Sequence, residues 1–314
     1  MVTINEKLKT ARELSWNHFG KEIIFYLPGM FSYNGFSGKY PALSITGSEC
    51  ALQCDHCRGS ILEPMIGALT PGVLLEKGLR LAEKGNHGIL ISGGCDEGGE
   101  LPWEEFIPII RELKSRTDLY ISIHSGLLDY RLARGLKEAG VDQALIDVIG
   151  DDETYKSIYH VPFGVSRIES SMEAMERAGL STIPHIVCGL DFGKVKGERK
   201  AIEIISRFHV EQVVIVSLMP VRGTPVWNVE LPDAEEIAEI IAETRLEIPL
   251  ARISLGCARQ RGNSKLETLA IDAGVNRMAL PSDEAIQRAK DYGLEIRYQK
   301  TCCSVSWDYF KSEW

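Results

Sequence analysis

Residues 42–58 read ALSITGSECALQCDHCR: an apolar, strand-like run that empties directly into three cysteines, Cys50, Cys54 and Cys57, at C-x3-C-x2-C spacing. A strand that ends in a short loop of soft ligands is how a barrel of parallel strands carries chemistry at its open end. Three thiolates on one loop suit a thiophilic metal centre, and an iron-sulfur cluster held by only three of them keeps one iron open to another molecule. Zinc is the alternative. It normally takes four closed ligands, and the fourth would be His56 inside the same loop.

Outward from this stretch, short apolar runs alternate with amphipathic segments. The runs are ALSIT (42–46), GILIS (88–92), LYISI (119–123), QALIDV (143–148), TIPHIV (182–187), QVVIVSL (212–218), ARISL (251–255) and VNRMAL (275–280). Continuous apolar runs are expected of strands buried on both faces, and their alternation with helices predicts right-handed parallel crossovers. Thr70-Pro71 and Pro232-Asp233 supply helix starts, while Gly85, Gly140 and Gly179 supply stops. The expectation is a (β/α)8 TIM-type barrel over 41–295. A helix near Asn5 to Phe19 and an irregular loop rich in Gly, Pro and aromatics make up 1–40, and a short extension makes up 296–314.

Catalytic groups in such barrels sit where the strands end. Those positions carry the three loop cysteines, then Ser92, Gly93, Gly94 and Cys95, His124 and Ser125, Asp147, Cys188 and Gly189, Ser217 and Cys257. Cys95 and Cys188 also read as buried core thiols. The net charge of −9 argues against non-specific adhesion to nucleic acid or anionic membrane. The charged amphipathic start lacks the apolar centre of a signal peptide, and no run of about 18 apolar residues follows, so a cytoplasmic chain is expected. Eight cysteines in that setting point to metal or redox work before disulfides.

The C-x3-C-x2-C loop after the first strand, Gly93-Gly94 after the second and MPVRGTPV (219–226) after the sixth resemble the radical S-adenosylmethionine enzymes. Gly223-Thr224-Pro225 narrows the resemblance to the branch containing biotin synthase. It implies that Cys50, Cys54 and Cys57 hold a 4Fe-4S cluster whose open iron chelates S-adenosylmethionine. Gly93 and Gly94 would let backbone approach the methionine amine, Asp147 would serve the ribose or amino end, and His56 and the Met219-Pro220-Val221 backbone the adenine. Two positions depart from the pattern: His56 replaces a common aromatic, and Cys95 stands where Glu is common. Asp96 and Glu97 are then the substitute partners of the amine.

Cys257 ends the seventh run, and Cys302-Cys303 follow the last helix. A barrel brings these places to neighbouring positions on its mouth, so three thiolates offer a second cluster site; the other reading is an incidental cysteine pair near the terminus with Cys257 as core packing. Biotin synthase has an arginine where this chain has Cys257. The arrangement is more similar to the archaeal biotin-synthase-like proteins that form one half of a two-component lipoyl synthase. That resemblance implies sulfur insertion into an octanoyl chain, with Cys257, Cys302 and Cys303 holding an auxiliary 4Fe-4S cluster as donor and Ser304 or Ser306 as a weak fourth ligand. The implied partners are an octanoyl-lysine peptide or lipoyl carrier protein, a second synthase subunit and a reductant such as ferredoxin. Arg222, Arg259 and Arg261 would face the acidic carrier. Two other readings remain: a biotin-synthase-like mutase, C-C lyase or metallocofactor assembly enzyme without sulfur transfer, and a non-catalytic cluster or zinc protein.

Overall fold

A computed structural model describes residues 3–33 and 35–309; the last five residues of the expected 296–314 extension, and residues 1, 2 and 34, lie outside the described residues. The strands are β1 (Glu22–Tyr26), β2 (Ser32–Tyr33), β3 (Phe36–Ser37), β4 (Ala42–Ser44), β5 (Ile66–Gly67), β6 (Gly88–Ser92) and β7 (Tyr120–His124). They continue with β8 (Gln143–Asp147), β9 (Thr182–Cys188), β10 (Gln212–Ser217), β11 (Arg252–Leu255), β12 (Arg277–Ala279) and β13 (Glu295–Gln299). The helices are α1 (Ile4–Phe19), α2 (Pro71–Glu83), α3 (Trp103–Arg116), α4 (Tyr130–Glu138) and α5 (Asp152–Tyr159). After these come α6 (Ser166–Ala178), α7 (Glu198–Ile205), α8 (Ala234–Glu247), α9 (Ser264–Asp272) and α10 (Asp283–Asp291).

Eleven strands form one curled sheet in the order β13-β1-β12-β11-β10-β9-β8-β7-β6-β4-β5, and β2-β3 is a separate antiparallel hairpin. Every pairing within the large sheet is parallel. The α/β barrel-type fold is therefore as expected, and all eight apolar runs are strands of it. Three further strands join them. EIIFY forms β1 beside β12, and β13 pairs with β1, so the sheet extends past the 41–295 span at both ends. The ends of the curl are tied by backbone: Lys39 N–H donates to the Lys300 carbonyl at 2.7 Å, and the Lys39 carbonyl accepts from His87 N–H at 2.9 Å.

Local signals set the helices. Thr70 caps α2 by accepting from Val73 N–H, with Pro71 in the first turn. Asp233 and Glu236 form a capping box on α8. Gly179 ends α6 at φ +67°, a conformation that an L side chain adopts at a cost. Side chains alternate across each strand. Ile121, Ile123, Ile186 and Cys188 join the core beneath the helices, while Leu145, Ile183, Val214 and Val216 form a separate inner cluster. Trp103 is fully buried and donates from Nε1 to the Ser125 carbonyl at 2.8 Å, pinning the start of α3 under the mouth. Among the described residues, no helix is long and apolar enough to cross a membrane.

Candidate active site

The cysteine loop is held from two sides. Ala51 N–H donates to the Cys95 carbonyl at 2.8 Å, and Asp55 N–H to the Ile158 carbonyl in α5 at 2.8 Å. Asp55 Oδ1 also lies 3.0 Å from His160 Nε2. Within the loop, Cys57 N–H donates to the Cys54 carbonyl at 3.1 Å, and Gln53 and Arg58 both adopt φ of +45°. All three thiols are free, with Cys54 and Cys57 buried and Cys50 half-buried. Burial pushes Cys57 up to about 11 and Cys54 still further, the neighbouring thiols adding to it, so these two thiols stay protonated without metal and release their protons on metal loading.

Gly94 is required by the loop itself. A Cβ there would stand 2.0 Å from the Glu49 carbonyl oxygen and 2.5 Å from Cys50 Cα, both backbone atoms. Its N–H donates to Thr46 Oγ1 at 2.7 Å. Within the chain itself, the close approach that Gly94 allows is to the Cys50 backbone. Gly93 is less confined, its hypothetical Cβ 3.1 Å from the Thr46 side chain.

Two buried polar atoms beside the loop have no hydrogen-bond partner, His56 Nδ1 and Tyr159 Oη. Their rings lie 5.1 Å apart. Burial lowers the His56 pKa, with Asp147 and Asp55 pulling the other way, so the imidazole stays neutral at pH 7. Asp147, at the end of β8, places Oδ1 3.7 Å from His124 Nε2. Cys95 sits among Cys50, Asp96 and Asp147 and is pushed up to about 12, chiefly by burial, which marks a protonated thiol. Asp96 Oδ1 accepts from Gly98 and Glu100 N–H and serves its own turn. Glu97 is exposed. Beyond β10, Met219 is exposed, and the Val221 carbonyl already accepts from Thr224 N–H and Oγ1.

The second constellation assembles inside the curl. Cys303 is buried against Ile24, Tyr26 and Ala279, with Cys257 and Cys302 packed on the same group. The three thiols therefore pack in one small buried group. The neighbouring Cys303 thiol and the positive charges of Arg261 and Arg259 favour the Cys257 thiolate. Ser304 Oγ stands 3.7 Å from Cys302 Sγ and 2.9 Å from His185 Nε2. Ser306 lies elsewhere, beside Gln143 and Tyr120.

Arg259 does not face a partner. It is fully buried, donating to the Gly256 and Ala279 carbonyls at 2.5 and 2.7 Å and pairing with Glu267 at 2.7 Å. A guanidinium in that position satisfies carbonyls left at the ends of β11 and β12. Arg261 bonds the Cys257 carbonyl at 2.8 Å, and Arg222 is exposed.

A family model described as the radical SAM superfamily matches residues 44–208, more than half of the chain. The chain belongs to the radical S-adenosylmethionine superfamily. Members of this superfamily use a 4Fe-4S cluster and S-adenosylmethionine. The radical S-adenosylmethionine chain is 28% identical to a biotin synthase of Pelotomaculum thermopropionicum over 243 residues, 73% of this chain and 72% of that one. It is 26% identical to biotin synthase 2 of a Polaromonas species, over 74% and 69%. In fold it resembles methylornithine synthase, with a TM-score of 0.65, 17% identity and coverage of 93% and 88%. It also resembles an FeFe-hydrogenase maturase from Carboxydothermus hydrogenoformans, with a TM-score of 0.63, 16% identity and coverage of 93% and 72%.

The residues present fit the superfamily's resident groups: three free thiols on a clamped loop, a glycine that makes room for it, and two unpartnered buried polar atoms at its side. Among the described residues, no three or more His, Cys, Asp or Glu side chains draw together as a single metal ion requires. Thr46, Tyr159 and His185 went unread in the sequence; only Tyr159 had a local signal, as an aromatic at the end of a helix after a strand.

Proposed function

We propose that this radical S-adenosylmethionine enzyme inserts sulfur into an unactivated acyl chain, in the manner of a lipoyl synthase acting on an octanoyl-lysine. The observation that carries the reading is the packing of Cys257, Cys302 and Cys303 into one group inside the curl. A family member that only rearranges or cleaves its substrate does not need a sulfur donor. When bound, the first cluster with S-adenosylmethionine supplies a 5'-deoxyadenosyl radical that takes hydrogen from carbon, and the second cluster supplies sulfide.

The chain's own residues give that chemistry its direction. Cys50, Cys54 and Cys57 would hold the first cluster at the mouth. His56 Nδ1 and Tyr159 Oη offer hydrogen bonds beside it, and Asp147 offers a carboxylate to the cofactor's hydroxyl or amino groups. Leu145, Ile183, Val214 and Val216 present an apolar inner wall that suits a saturated chain and excludes water from a reactive carbon. Arg259 and Arg261 favour thiolate at Cys257, the ionisation a metal ligand needs. An acyl-bearing carrier protein, a second synthase subunit and a low-potential reductant complete the proposed reaction.

The test is anaerobic reconstitution with iron and sulfide counting. The wild type is expected to hold about eight irons, and a Cys257→Ala, Cys302→Ala, Cys303→Ala variant about four. Labelled cluster sulfide should appear in the product of the wild type. An equal iron count in both proteins removes the second cluster, and with it the sulfur donor.

A further inference from the structure

The inner wall of an ordinary barrel is filled by branched apolar side chains. Here one end of it is built from long polar residues, Gln143, Gln212, Ser254, Arg277 and Gln299, every one fully buried. Their partners are a single stretch of main chain. Gln212 Nε2 and Ser254 Oγ donate to the Cys303 carbonyl at 3.0 and 3.2 Å, and Gln143 Nε2 to the Ser304 carbonyl at 2.8 Å. Arg277 donates to the Val305 and Ser306 carbonyls at 2.5 and 2.9 Å and pairs with Asp308 at 2.6 Å. Gln299 Nε2 donates to the Trp307 carbonyl at 2.9 Å. Carbonyls 303 to 307 are thus all taken by side chains of the sheet, with Arg277 serving both 305 and 306.

Two of the glutamines grip at both ends. Gln143 Oε1 accepts from Ser306 N–H at 3.1 Å, and Gln299 Oε1 from Tyr309 N–H at 2.9 Å. Gln212 Oε1 accepts from Arg277 at 2.8 Å, joining the set into one network. Releasing the tail would break all of these hydrogen bonds together. The grip is on backbone, so the side chains of 302 and 303 remain at liberty to meet Cys257.

We propose that Gln143, Gln212, Arg277 and Gln299 form a clasp that docks the C-terminal segment into the barrel before any metal binds and so positions Cys302 and Cys303 against Cys257. These are positioning residues, since none touches a sulfur. The inference rests on the auxiliary-cluster reading only for its purpose; the clasp acts on the metal-free chain.

Thiol accessibility of the metal-free, full-length protein tests it. Iodoacetamide labelling of Cys302 and Cys303, read by peptide mass spectrometry, should rise at least about tenfold in Gln143→Leu, which loses two hydrogen bonds to the tail backbone, and in Arg277→Met, which loses three bonds to the tail. Cys188, fully buried under the helices, gauges whether the barrel stays closed. Labelling at the wild-type rate in both variants overturns the clasp. If Arg277→Met also exposes Cys188, the barrel has opened and Gln143→Leu decides alone. Iron counting separates the two ideas. About eight irons in the wild type falling toward about four in Gln143→Leu support the clasp as the positioner of the second site. A wild type with about four irons whose labelling still responds to both substitutions leaves the clasp standing and removes the auxiliary cluster.

Discussion

His185 Nε2 lies 2.9 Å from Ser304 Oγ, joining the middle of β9 to the segment that carries Cys302 and Cys303. The other ring nitrogen, Nδ1, is 3.1 Å from the Ile183 carbonyl, which can only accept, so Nδ1 carries the proton and Ser304 donates to Nε2. Burial, with help from His124, pushes the His185 pKa down to about 4, so the ring is neutral at pH 7. Its folded-state pKa is below the unfolded value of 6.5, so the unfolded chain binds the extra proton first as pH falls. The stability it confers is complete above about pH 6.5 and is lost toward pH 4, by up to about 3 kcal/mol. Thermal unfolding of the metal-free protein should therefore decline more steeply over this window in the wild type than in His185→Gln. Parallel curves would show that His185 is not held neutral.

Gly94→Ala should abolish cleavage of S-adenosylmethionine and reduce iron at the first site while circular dichroism stays native. The new methyl meets backbone of Glu49 and Cys50, which moves only with the cysteine loop. Gly223→Ala makes a useful contrast. Nothing lies within 4 Å of its position, but its φ of +86° makes the cost conformational, about 1–2 kcal/mol, with the first site still loaded. Equal iron loss in the two variants would sink the distinction.

Tyr159→Phe removes a buried hydroxyl that has no partner. Stability of the metal-free chain should be unchanged or higher by about 1 kcal/mol, because the desolvated hydroxyl is gone. The iron-loaded protein should bind S-adenosylmethionine about tenfold more weakly, as one lost hydrogen bond predicts. Isothermal titration and chemical denaturation read the two effects separately. A loss of stability with unaltered binding would mean that the hydroxyl serves the fold.

Arg259→Met leaves Glu267 buried without its cation, and such a break costs about 3–5 kcal/mol. Denaturation midpoints should fall accordingly. The double variant Arg259→Met, Glu267→Gln should recover part of the loss, since no bare charge remains. A surface role for Arg259 predicts almost no change in either protein.

Much of the fold was legible because its signals are local. The eight apolar runs, the caps at Thr70 and Asp233 and the C-x3-C-x2-C loop are patterns over a few residues, and each element forms where its pattern stands. EIIFY carries no such signal, because four apolar residues between a helix and a Gly- and Pro-rich loop are too few to separate from a helix end. Glu295 to Gln299 alternates with polar residues and does not resemble the buried runs, since β13 is an end strand of the sheet.

The first cysteine site needed little beyond its spacing, because covalent geometry alone keeps Cys50, Cys54 and Cys57 within one short loop. The second could be anticipated only as a consequence of barrel closure. Its depth and its clasp depend on where strands far apart in the chain aim Gln143, Gln212 and Arg277. A Gln or Arg on a strand carries no mark of whether it faces water or the backbone of a returning tail. That difference is set by nonlocal register, which side-chain periodicity leaves open, and it decides whether Cys302 and Cys303 end an exposed extension or stand inside the barrel against Cys257.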